Sequence, residues 1–168
     1  LINISGTNTY RGLITLSSAA GTEIQSDSGT LTITGGTTGN APLVFDGSGN
    51  MVFSTAPIAG SGTITKNGSG TVTYNFPNTN SSTLIINAGT ILYGVDNAIL
   101  SGAVIVTGGT LDLATFSDMV GAVTLGTLDL ASGTITGTTG MLSGTSWTLY
   151  QGTISAIIAG DMATITKS

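Results

Sequence analysis

A three-residue phrase, glycine then threonine then an aliphatic residue, returns eight times along this chain, with its glycines at Gly29, Gly62, Gly70, Gly89, Gly109, Gly126, Gly133 and Gly152. Most steps between successive glycines are 17 to 20 residues, and two are only 8 and 7. A fixed step of this size is the mark of a chain that coils on itself, each coil resting on its neighbours. A step near 20 suits one coil of a parallel β-solenoid. A step of 7 or 8 suits two strands joined by a tight turn within one coil.

The residue types between the glycines point the same way. Thr, of which the chain has 31 among 168 residues, and Gly, with 26, are poor helix formers. No run of ten residues shows helical spacing of apolar positions. Short alternating runs occur instead, such as Leu31-Thr32-Ile33, Thr71-Val72-Thr73-Tyr74, Leu111-Asp112-Leu113 and Thr164-Ile165-Thr166. Alternation puts the aliphatic side chain on one face and the hydroxyl on the other. The expected fold is therefore all-β: one parallel β-solenoid over 1–168, of about eight coils and about 40 Å tall. A β-sandwich also has short strands and frequent turns. With one Trp and 5% aromatic residues, the chain lacks the aromatic core that such a fold usually carries.

Composition excludes much chemistry. There is no Cys and no His, so disulfides, Cys/His metal sites, thiol nucleophiles and His-based acid–base catalysis are ruled out. Charged residues make up 7% of the chain, against roughly 25% in an ordinary domain. Three cations, Arg11, Lys66 and Lys167, against eight acids give a net charge of −5. Nucleic-acid binding needs clustered cations, so no nucleic-acid partner is expected. No apolar run approaches the length of a membrane helix, so no membrane insertion is expected.

The wording of one segment is familiar. Gly60-Ser61-Gly62-Thr63-Ile64-Thr65-Lys66-Asn67-Gly68-Ser69-Gly70-Thr71-Val72-Thr73 resembles the core of the autotransporter-associated β-strand repeat, with its Thr-Lys-x-Gly-x-Gly-Thr centre. Ser5-Gly6-Thr7-Asn8-Thr9-Tyr10-Arg11-Gly12 looks like that repeat's turn, and Ile85 to Ile91 like its last part. Gly102 to Leu113 looks like the coil that follows. Asn75-Phe76-Pro77-Asn78-Thr79-Asn80 departs from the turn pattern, which implies a reshaped corner. The resemblance implies a right-handed β-helix of the kind found in passenger regions of bacterial surface proteins, and adhesion or scaffolding rather than catalysis.

The ends also match the interior. Thr164 to Ser168 repeats Thr63 to Asn67, and Leu1-Ile2-Asn3-Ile4 fits the slot of Thr71 to Tyr74. The chain then reads as one unit of a longer repetitive solenoid, uncapped at both ends. Its partners would be adjacent repeats or copies of itself, end to end. It would lie outside the cell or on a bacterial surface, with no cofactor and no enzymatic activity. A surface glycan is a second expected partner, met through one face.

Few residues qualify as site candidates. Asp112 and Asp129 both sit in Leu-Asp-Leu, seventeen residues apart, so one could lie above the other and share a calcium ion. The simpler reading is two outward, solubilising acids. Trp147 and Tyr150 are the aromatic pair to test first for sugar stacking, although core filling and coil-end packing are the simpler account of the aromatics. Asp46-Gly47-Ser48-Gly49-Asn50 reads as a tight corner rather than a phosphate or calcium loop. Ranks of outward threonines can bind ice, but the Thr-x-Thr pairs are unevenly spaced and look spread over several faces.

Overall fold

The computed structural model of the chain describes residues 1–129, 131–159 and, for the backbone, 165–167. Among these residues every regular element is a strand, and every pairing between strands is parallel. That settles the choice between sandwich and solenoid. The chain winds through about seven turns, close to the eight coils expected.

Three faces surround the core. The first is a ten-stranded sheet that begins at Ile2–Asn3 and ends at Ile157–Ala159 and Ile165–Lys167. The second is an eight-stranded sheet from Thr7–Tyr10 to Gly152–Ile154. The third starts as a two-stranded sheet, Ile14–Leu16 with Thr37–Gly39, and a single bridge carries it to Ile58. Two long strands, Asp118–Leu125 and Met141–Leu149, turn the corner from the third face into the first. The two final strands divide along Met141–Leu149, with Ile157–Ala159 beside its start and Ile165–Lys167 beside its end.

Register builds the core as columns. In the first sheet Leu43, Ile64, Leu84, Val104, Val123 and Trp147 stand one above the next, all buried. In the second, Leu31, Met51, Val72, Ile91, Leu111 and Ile135 do the same. A further column of Ile33, Phe53, Tyr74 and Tyr93 brings aromatic rings together. The Phe53 and Tyr74 centroids lie 6.3 Å apart, edge to face. Each large apolar side chain so buried contributes about 1.5–3 kcal/mol.

Each strand of the second sheet is led by glycine: Gly6, Gly29, Gly49, Gly70, Gly89, Gly109, Gly133 and Gly152 share one corner. Their carbonyls point along the axis. The amides of Thr30, Asn50, Thr90, Thr110 and Thr134 donate to the oxygens of Gly6, Gly29, Gly70, Gly89 and Gly109, at 2.8–3.2 Å. A Cβ at Gly89 would stand 2.5 Å from the Gly70 oxygen, closer than any side chain tolerates. Six of the eight recurring Gly-Thr phrases are this corner. Gly62 instead leads Ile64–Lys66, the first-sheet strand of the coil in which Gly70 leads Thr71–Tyr74, and Gly126 follows the strand that ends at Leu125.

Two expectations about the chain's opening need correction. Ile2–Asn3 pairs with Gln25–Ser26 in the first sheet, so it occupies the slot of Ile64–Lys66, not that of Thr71–Tyr74. The latter slot is filled by Thr7–Tyr10, which is a strand and not a turn. Asn8 there takes the place that Leu31 and Met51 hold in the next coils. Its Nδ2 donates to Asn3 Oδ1 at 2.6 Å, and Asn3 Nδ2 donates to Ser26 Oγ and to the Ser28 carbonyl, each at 3.1 Å. The aliphatic column thus closes on an asparagine network.

Candidate functional site

The two acids proposed as a stacked pair are apart. Asp112 pairs with Thr136, twenty-four residues on, because the segment after Leu125 lengthens that coil. Asp112 Oδ1 accepts from the Ala114 amide at 2.8 Å, which ties down a turn. Asp129 lies exposed in the loop that follows Gly126. Register therefore does not stack them. Among the described residues, no group of three or more acids converges elsewhere either. Trp147 is corrected too. It stands over Val123 in the first-sheet column and is 1% exposed, so it offers no surface to a sugar. Tyr150 is partly exposed, beyond the end of the Met141–Leu149 strand. Among the described residues, no helix is long and apolar enough to cross a membrane.

The threonines are better ordered than their spacing promises. Register places Thr7, Thr30, Asn50, Thr71, Thr90, Thr110, Thr134 and Thr153 in one outward rank of the second sheet. A second rank runs Thr9, Thr32, Val52, Thr73, Leu92, Asp112 and Thr136. Ranks on neighbouring strands repeat at about 4.8 Å. One face therefore carries the array, since hydrogen bonding and not residue count sets the alignment. Val52, Leu92 and Asp112 interrupt the second rank, so it is not the continuous lattice that ice would need.

A polar seam that the sequence reading passed over runs down the middle of the third face. Here side chains supplement the few backbone bonds between coils, such as those from the Thr79 and Asn80 amides to the Ile58 carbonyl, each at 3.1 Å. Asn78 Oδ1 accepts from the Ile58 amide at 2.8 Å, and its Nδ2 donates to the Ala98 carbonyl at 2.8 Å. One amide side chain thus links the coil below to the coil above as a peptide group would. Asn80 Nδ2 donates to the Gly62 carbonyl at 3.0 Å, while its Oδ1 accepts from the Ser82 amide at 2.8 Å. Two coils further on, Asp118 Oδ2 accepts from the Ile99 amide at 2.8 Å. Asn78, Asn80 and Asp118 are all buried. The signal for this was Phe76-Pro77-Asn78-Thr79-Asn80: Pro77 has no N–H for a ladder, and the asparagines beside it supply one.

Burial sets the electrostatics of the interior. It raises the Asp118 carboxyl above its ordinary range, with a smaller push from Asp96; the amides of Ile99 and Met119 and the Tyr93 hydroxyl work against that rise. The Tyr93 phenol is pushed up by burial first and by Asp118 second. The pair face each other without closing a hydrogen bond. Lys66 is the one buried cation among the described residues, 1% exposed, in a column between Phe45 and Ile86. Its Nζ donates to the carbonyls of Gly68 and Ala88 at the glycine corner. Burial lowers its pKa to about 8, partly opposed by Asp46.

Compared with family models, curated proteins and solved structures, the chain matches none. The geometry shown is that of a parallel β-solenoid. Its buried polar groups replace or cap backbone hydrogen bonds, and its most regular surface is a sheet of hydroxyls.

Proposed function

We propose that this chain is a structural repeat module of an extracellular bacterial fibre or surface scaffold, continuing in a longer chain or stacking head to tail. The observation that carries the reading is the axial ladder itself. Glycine and aliphatic columns run through the coils, and each face closes on an edge strand: Ile2–Asn3, Thr7–Tyr10 and Ile14–Leu16 at one end. An edge strand is a template for another strand, and a contact that does not close on itself makes a filament. Stiffness comes from the ladder and length from the number of coils. The resemblance of Gly60–Thr73 to the autotransporter-associated repeat supports the same reading.

The test is the mass of the native polypeptide under denaturing conditions. A mass many times 16.6 kDa makes the chain one unit of a long repetitive protein. A mass near that value requires the purified chain to associate end to end, seen as rods in electron micrographs. Short native chains that stay single at high concentration would sink the proposal.

The rank of half-buried threonines favours a second reading, an adhesin that meets a glycan or host surface through its second sheet. A glycan array decides between them. A scaffold binds nothing saturably, whereas an adhesin loses a saturable signal when Thr71 and Thr73 are changed to Lys.

A further inference from the structure

Between the second sheet and the third-face seam lies a small cavity of about 10 Å³ whose polar wall is Tyr74, Asn78, Asn80 and Ser82. Tyr74 is 1% exposed, and its hydroxyl has no protein partner. A buried hydroxyl left alone is destabilising, and such groups are ordinarily satisfied by protein or by ordered water. The wall around it has hydrogens to give. Asn78 Nδ2 spends one on the Ala98 carbonyl and Asn80 Nδ2 spends one on the Gly62 carbonyl. Each amide nitrogen carries two. Room for a single water centre is roughly 10–15 Å³, and a buried water needs two to four polar partners.

We infer that this cavity is a binding site for one structural water, held between the Tyr74 hydroxyl and the Asn78–Asn80 segment. The water accepts from an asparagine amide and bonds the phenol oxygen. It thereby ties the second sheet to the stretch of the third face where Pro77 has no N–H to offer. A cation finds no carboxylate on this wall. A small anion would have to leave its hydration shell for uncharged donors alone.

A crystal structure fine enough to show ordered water tests the assignment. The expected result is one peak within hydrogen-bond distance of Tyr74 Oη and of an Asn78 or Asn80 amide. In solution, water-proton relaxation dispersion should count one fewer long-lived internal water in Tyr74→Phe than in the parent chain. Ser82→Ala, which spares the phenol, should keep that water. The inference is overturned if the parent cavity is empty, if Tyr74 Oη bonds directly to a protein group, or if a bromide soak places an anomalous peak there. An equal count of internal waters in parent and Tyr74→Phe overturns it equally.

Discussion

At the scale of single residues, this solenoid depends on side chains that stand in for backbone. Asn78 Oδ1 accepts from the buried Ile58 amide, so Asn78→Ala strands that amide, while the Ala98 carbonyl keeps the Asn78 backbone amide at 3.3 Å. A stranded buried group costs about 1–3 kcal/mol, so the variant should lose roughly that much in urea unfolding. The exposed neighbour provides the control, and Thr79→Ala should stay within about 0.5 kcal/mol. Equal losses at both positions would remove Asn78 from this role. Lys66 gives a pH signature. Its pKa is near 8 in the folded chain and near 10.5 unfolded, so between those values the unfolded state holds more protons. Stability therefore rises with pH across that window, and below it the cost of the buried ammonium is carried in full. Compared with Lys66→Met, the parent should gain on the order of 3 kcal/mol between pH 7 and pH 11. Parallel pH profiles for the two proteins would show that burial does not perturb Lys66.

At the scale of strands and corners, much was legible because most coils turn at a glycine whose carbonyl the next coil's amide reaches; the Thr71 amide, which donates to Asn50 Oδ1 instead, is an exception. The repeating Gly-Thr phrase is that turn, and alternation within each strand predicts which residues enter the columns. What was not legible depends on coil length. Asp112 and Asp129 looked stacked because seventeen residues resemble one coil, yet hydrogen bonding sets Asp112 beside Thr136. Trp147 falls on the inward parity of its strand, which a loop-inserted coil hides from any count along the chain. Gly6 and Gly49 were missed for a simpler reason: the residues after them are Thr-Asn and Asn-Met, so the recurring phrase does not flag them although register sets them at the same corner. The corner makes its own prediction. Gly89 and Gly6 both have positive φ, +66° and +77°. A Cβ at Gly89 meets the Gly70 oxygen, whereas one at Gly6 meets nothing within 4 Å. Gly6→Ala should cost only the backbone strain, about 1–2 kcal/mol. Gly89→Ala should cost clearly more, because the coils must part to admit the methyl. Matching melting temperatures for the two variants would mean the corner is set by φ alone and not by stacking.

At the scale of the whole molecule, the first and last described strands each leave one side unpaired, where a further coil or a second copy would add. Its surface carries few charges, so copies repel one another weakly. The first coil presents Ile4 at 74% exposure and Leu13 at 58%, around the Asn3–Asn8 network. Its three edge strands face the axis direction, as do Gly152–Ile154, Ile157–Ala159 and Ile165–Lys167 at the far end. On the proposed head-to-tail reading, a second copy adds strand to strand on these faces and buries the exposed aliphatics between them. Charge placed on that rim should stop the addition without touching the core. In sedimentation velocity, the parent chain should grow in size with concentration, and Ile4→Lys with Leu13→Lys should hold it at one copy. The melting temperature at low concentration should be nearly the same for both, because neither side chain contributes to the columns. If the parent stays single at all concentrations, or if the double variant associates as well as the parent does, then the exposed rim is not an assembly surface. Length would then have to come from covalent continuation of the coils, which the denaturing mass reads independently.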